Sequence, residues 1–192
     1  RVPPECFYLR FGAFSNFVWF QEIAERYGGD IAQSVLMRSF NYDAQSRLER
    51  MLAAKMTSLA KMFGDSLISD LAVVGTDLYL SEGASLGVIF EARNPALLVA
   101  GIEADRKAAA EKRPDATVQK LNINGKEVVL LSTPDNQLRS FFVADGNYVF
   151  VTTSRKLAER FIEVSAGAPS LASMSNFRSV RSWMPDRNDY SV

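Results

Sequence analysis

The sequence predicts an α+β fold, a largely antiparallel sheet on a β-α-β-β-β-β-α core over residues 86 to 164, behind a helical amino-terminal third. Three observations carry this. Apolar side chains recur at about 3.6 residues up to Gly64, and after Asp65 the period falls to about 2. Two dipeptides with turn chemistry, Asn124-Gly125 and Asp145-Gly146, each separate two alternating apolar runs. Between the first strands and these hairpins, Asn94-Pro95 marks a helix start, an N-cap followed by proline at the first helical position.

The elements follow in order. Residues 7 to 11 alternate as a short strand, Phe7, Leu9 and Phe11 on one face and Tyr8 and Arg10 on the other. A helix follows, capped by Ser15 or Asn16, with Phe17, Phe20, Ile23, Ala24 and Tyr27 on its stripe and Gly28-Gly29 as its stop. Asp30 and Asp43 are placed to cap two more helices. The second carries the stripe Leu48, Leu52, Met56, Leu59 and Phe63 and ends at Gly64. Strands at 71–80 and 86–92 form a hairpin around Ser81-Glu82-Gly83. The Asn94-Pro95 helix runs to about Lys112 on Leu98, Ile102, Ala108 and Ala109, before Pro114. Strands are expected at 117–123, 126–132, 138–144 and 147–153. Ser154 then caps a helix that buries Leu157, Ala158, Phe161 and Ile162 and ends at Gly167. A last short helix holds Phe177, Val180 and Trp183 and stops at Pro185. Residues 1–192 read as a single domain, with a helical lobe at about 13–64 and a sheet core at about 67–185, its helices as a covering layer. The core's element order resembles the TATA-box-binding-protein-like fold class, in topology alone, which carries no function with it.

A two-residue loop also fixes which side chains share a face. Around Asn124-Gly125, Leu121, Ile123, Val128 and Leu130 share the apolar side, while Lys120, Asn122 and Glu127 lie on the other. The second hairpin is apolar on both sides: Phe141, Val143, Tyr148 and Phe150 on one, Leu138, Phe142, Val149 and Val151 on the other. Its second face is either covered by the amino-terminal helices, the reading preferred here, or open as an aromatic surface. Arg139, Phe141, Tyr148 and Phe150 are the candidate contact surface.

Composition excludes much chemistry. The 192 residues contain no histidine and one cysteine, with 22 basic against 22 acidic side chains. Without histidine there is no Ser-His-Asp or Cys-His nucleophile, no histidine general base and no histidine-bound zinc, iron or copper. Cys6 alone forms neither an internal disulfide nor a thiolate cage and reads as a small buried hydrophobe. Zero net charge argues against a dedicated nucleic-acid binder. No apolar run reaches the roughly 18 to 20 residues a membrane span needs.

The remaining motifs are weak. Ser58 and Lys61 form an S-x-x-K spacing, but S-D-N and K-T-G companions are missing and Ser58 falls late in its helix. Carboxylates can run acid/base chemistry without histidine, and the stretch from Asp65 to Glu91 holds Asp65, Asp70, Asp77, Glu82 and Glu91 with no lysine or arginine. Their plainer reading is a strand flank for Asp70, a turn for Glu82 and the solvent side of a strand for Glu91. No calcium-loop pattern and no glycine-rich phosphate loop is present, so no metal and no cofactor is expected. Arg155, Lys156, Arg160, Arg178, Arg181 and Arg187, opposed by Glu159, Glu163, Asp186 and Asp189, read as a solvated surface. Thr133-Pro134-Asp135-Asn136-Gln137 is a turn first and a contact loop second.

Pro3-Pro4-Glu5-Cys6-Phe7-Tyr8-Leu9-Arg10-Phe11-Gly12, Gly75-Thr76-Asp77, Leu131-Ser132-Thr133-Pro134-Asp135 and Val151-Thr152-Thr153-Ser154 together resemble large uncharacterised bacterial proteins, especially of planctomycete type. The resemblance implies an extracytoplasmic or membrane-anchored parent and assigns no site residues. The chain opens on Arg1 and stops at the strand-like Asp189-Tyr190-Ser191-Val192, and so reads as an excerpt of a longer protein. The expected function is a non-catalytic structural or interaction module of a bacterial cell-envelope protein, whose partners are proteins or neighbouring domains, without nucleic acid. The alternative is a histidine-free hydrolase built on the 65–91 carboxylates. Pro185 precedes Tyr190 much as Pro4 precedes Tyr8, which raises a repeated unit with Tyr190 at a sheet edge. Chance likeness is preferred, because the match is a proline, an acid and a tyrosine.

Overall fold

Alternation of apolar and polar residues produces seven strands in the computed structural model, which describes residues 1–26, 64–76 and 85–183. They are β1 (Phe7–Arg10), β2 (Ile68–Gly75), β3 (Leu86–Ala92), β4 (Thr117–Ile123), β5 (Lys126–Ser132), β6 (Arg139–Asp145) and β7 (Tyr148–Thr152). They form one sheet in the order β1-β2-β3-β7-β6-β5-β4, every neighbouring pair antiparallel. The helices are α1 (Phe14–Arg26), α2 (Gly64–Leu67), α3 (Pro95–Glu111), α4 (Arg155–Ser165) and α5 (Ser175–Arg181), with a 3₁₀ turn at Leu171–Ser173. The expected order from residue 86 is present as β3-α3-β4-β5-β6-β7-α4.

A helical amino-terminal third is not what the described residues contain. That part holds β1, which joins the sheet beside β2, and α1. The helices expected after Asp30 and Asp43 lie outside the described residues, as do the Ser81-Glu82-Gly83 turn, Pro185 and Tyr190. Helices lie on both faces of the sheet. On one, Phe14 and Phe17 of α1, Leu67 of α2 and Leu98 and Ile102 of α3 pack with Leu71, Phe90, Phe142, Val149 and Val151. On the other, Leu157, Ala158, Phe161 and Ile162 of α4 pack with Val74, Ile89, Phe141, Val143 and Phe150. Both faces of the β6–β7 hairpin are therefore buried, which is why both of its residue sets are apolar.

Local signals explain most element ends. The Asn94 side chain accepts from the Leu97 amide at 3.2 Å, and Ser154 Oγ accepts from the Leu157 amide at 3.4 Å. α1 differs, since neither Ser15 nor Asn16 caps it. The Ser15 amide donates to Asp65 Oδ1 at 3.0 Å, so a carboxylate fifty positions away serves the helix start. The second hairpin turns at Gly146-Asn147, one residue later than expected, with Gly146 at φ 61° and Asp145 paired with Tyr148. Moving a two-residue loop by one position shifts both strands together, so the side chains keep their faces.

β3 passes close under a ring at Gly87. A Cβ there would lie 2.5 Å from the Phe150 ring and 2.8 Å from Thr152 Cβ, and Phe150 is held by stacking on Phe161 with centroids 4.9 Å apart. Gly87→Ala is expected to cost about 2 kcal/mol through overpacking. Urea denaturation checks this, and an alanine variant as stable as the parent would show that the ring has room to move.

Candidate functional site

The register of the sheet assembles a polar row along one end of the α4 face. Asp70 of β2 pairs with Glu91 of β3, Glu91 with Tyr148 of β7, and Tyr148 with Asp145 of β6. Lys126 of β5 completes the line, its ammonium 2.5 Å from Asp145 Oδ1. The next row inward is Ala72, Ile89, Phe150, Val143 and Val128, apolar and buried, the last four in the core that α4 joins. The chain places its ionisable side chains where the helix layer ends and water can still reach them.

The end of β1 and the amino-terminal segment are tied into this row. Arg10 of β1 donates through Nε to Asp70 Oδ2 at 2.6 Å. Arg1 donates to Asp145 Oδ2 at 2.7 Å, and its guanidinium lies 5.1 Å from the centre of the Tyr148 ring. The Tyr148 hydroxyl donates to Glu91 Oε1 at 3.4 Å. Asp145 is held below the usual carboxylate range, first by the hydrogen bond from Lys126, against the opposing effect of burial, and then by the nearby Arg1 charge. An acid whose folded-state value is depressed stabilises the fold above its ordinary value of 3.8, and that stability is lost as pH falls through the folded value. Unfolding midpoints are therefore expected to drop below about pH 4, and Asp145→Asn to flatten the drop. Equal acid sensitivity in both proteins would remove Asp145 from that role.

The residues expected from sequence fall as follows. Of the five acids, Asp70 and Glu91 are brought side by side, Asp65 serves the start of α1, and Asp77 and Glu82 lie outside the described residues. Ser58 and Lys61 also lie outside them. In the contact-surface set, Phe141 and Phe150 are 2% and 1% exposed beneath α4. Tyr148 is half-buried, and Arg139 is exposed with its guanidinium 5.6 Å from the Phe141 ring centre. The four do not form one open aromatic surface, because α4 supplies the apolar cover that the hairpin's first face needs.

Cys6 is buried, and burial pushes its thiol up to about 11, away from the reactive thiolate. Arg160 bonds Glu5 at 2.6 Å and also pairs with Glu163, and Arg155 bonds Glu159 at 2.8 Å, so these two arginines of the basic surface are matched with acids, while Arg187 lies outside the described residues. The 133–137 turn is tied down similarly. Thr133 Oγ1 donates to Asp135 Oδ1 at 2.5 Å, and Arg113 reaches Asp135 at 2.9 Å. No cluster of three or more metal-ligating side chains occurs among the described residues, and no described helix is long and apolar enough to cross a membrane.

Sequence reasoning missed the row because it depends on pairing strands across a long connection. It also missed Arg106. The third core position of α3, four residues after Ile102, is this arginine rather than Ala108. Compared with protein-family models, curated proteins and solved structures, the chain matches none.

Proposed function

We propose that the chain is a non-catalytic structural or interaction module of a larger bacterial cell-envelope protein. The observation that supports this reading best is how the polar row uses its charges. Arg10 with Asp70, and Arg1 and Lys126 with Asp145, join strands to one another and to the amino-terminal segment. Helices cover both faces of the sheet, while the β4 end projects beyond them, with Thr117 to Lys120 exposed. That combination suits a part that is held rigid and touches neighbours along its rim. The envelope assignment draws on the resemblance to planctomycete-type proteins.

A second reading has one observation in its favour. Asp70 and Glu91 face each other across β2 and β3, with the Tyr148 hydroxyl on Glu91, and paired carboxylates are the minimum for acid/base hydrolysis without histidine. A panel of ester, phosphate and glycoside substrates, run with the parent chain, Asp70→Asn and Glu91→Gln, separates the two. The module reading expects no turnover from any of the three. Turnover by the parent that either substitution abolishes would replace it with the hydrolase.

A further inference from the structure

We infer that β4 is a self-pairing edge, through which two copies of this chain join antiparallel into one continuous sheet. This rests on the module reading and names its partner as a second copy. Among the described residues β4 is the last strand of the sheet and has β5 as its one strand neighbour. The Asn124-Gly125 turn, with φ of 49° and 81°, and the Ile123–Lys126 pair next to it fix the hydrogen-bonding phase. In that phase the amides and carbonyls of Thr117, Gln119, Leu121 and Ile123 point to β5, and those of Val118, Lys120 and Asn122 point outward. An unpaired edge of this length is a template for another strand.

Side-chain chemistry selects the register. Full overlap of two antiparallel β4 strands would set Lys120 directly against the second copy's Lys120, a like-charge pair across the ladder. Slipping one strand by two residues keeps the outward groups in phase and removes that contact. Leu121 then meets Leu121 of the other copy on the symmetry axis, and Lys120 meets Asn122. On the α4 face this makes an apolar row of Val128 and Leu121 from each copy, continuous with the core in which Val128 is buried and Leu121 partly buried. On the opposite face Lys120 comes into the same row as the second copy's Glu127, beyond Asn122, because Asn122 and Glu127 are register partners. Within one copy Lys120 and Glu127 already attract, at 3.1 Å, and both are largely exposed. In the dimer each lysine therefore has a carboxylate on either side. The contact is isologous, so it closes at two copies.

An edge of this size buries little area, so association is expected at about 0.1 mM and not at nanomolar concentration. Sedimentation velocity of the 192-residue chain from low micromolar to about 1 mM reads it. Lys120→Pro removes an outward amide and leaves the bonds to β5, and is expected to weaken association at least about tenfold. In amide exchange followed by NMR, Lys120 and Asn122 should gain protection as concentration rises, while Gln119 and Leu121 stay protected throughout and Val118, which falls opposite the turn residue Asn124 in this register, does not. A parent chain that remains monomeric at about 1 mM, or a dimer indifferent to Lys120→Pro with no concentration-dependent protection at the Lys120 and Asn122 amides, overturns the inference. Neither result bears on whether the chain turns over a substrate, which is the separate test of the module reading.

Discussion

Phe161→Ala is expected to lower the unfolding free energy by about 4 kcal/mol, within the range for deleting a buried phenylalanine. For a chain of this size that is a fall of about 12 °C in melting temperature. Phe161 has no exposed surface and stacks on Phe150, with 29° between ring planes. Phe150 in turn lies over Gly87, so the two rings and the bare backbone form one stack from β3 to α4. Truncation opens a space that neither the strand below nor the helix above can close. Phe161→Leu should cost less than half as much, because it keeps most of the volume. The stack also predicts coupling: Phe150 can tilt into the vacated space, so Gly87→Ala should be cheaper in the Phe161→Ala background. Urea denaturation of the parent, Phe161→Ala, Phe161→Leu, Gly87→Ala and the double variant gives these values. A loss below about 1.5 kcal/mol for Phe161→Ala, or strict additivity with Gly87→Ala, would mean that the stack is not the unit holding α4 down.

Arg106→Ala is expected to cost about 3 kcal/mol. The side chain is 5% exposed and lies between α3 and the sheet, with its guanidinium 5.5 Å from the centre of the Phe142 ring. It donates to the Ser140 hydroxyl, to the Val129 carbonyl at 2.8 Å and to the Ser140 carbonyl at 3.2 Å, which fastens the helix to both β5 and β6. Removal takes a donor from buried acceptors and leaves a void where the stem had packed. Burial pushes the arginine down to about 10, with Glu103 acting in the opposite sense. Keeping the charge therefore costs stability at neutral pH, and that cost eases as pH rises through the folded value. Arg106→Met removes the charge and keeps the stem, so its loss should be about 1 kcal/mol. Thermal melts of both variants test this. A harmless alanine, or a methionine as damaging as alanine, would contradict the division between packing and hydrogen bonding.

Arg106 also shows where reading the sequence stops. The helix around it was legible, from Asn94-Pro95 at its start and Leu98 and Ile102 along its buried side. Its third inward residue was not, because an arginine at a core position can be told from a surface arginine only by the oxygens opposite it. Those oxygens belong to strands more than twenty residues away. The contact surface behaved in the same way. Alternation correctly put Phe141 and Phe150 on one face with Tyr148, and only the packing of α4 decided that the two phenylalanines are inside.

The sequence by itself determined the strands from β3 onward, the Asn124-Gly125 hairpin and, to within one residue, the second, the helices α3 and α4 with their caps, and the exclusion of histidine chemistry. Each depends on residues within one or two turns of each other, where periodicity, φ preference and capping act through short-range sterics and hydrogen bonds. The tertiary structure decided the place of β1 beside β2, the division of helices between two faces, the service of α1 by Asp65 and the alignment of Asp70, Glu91, Tyr148, Asp145 and Lys126. These depend on which distant segments meet, and that is set by burying apolar area over the whole sheet, a sum that no local window of sequence contains.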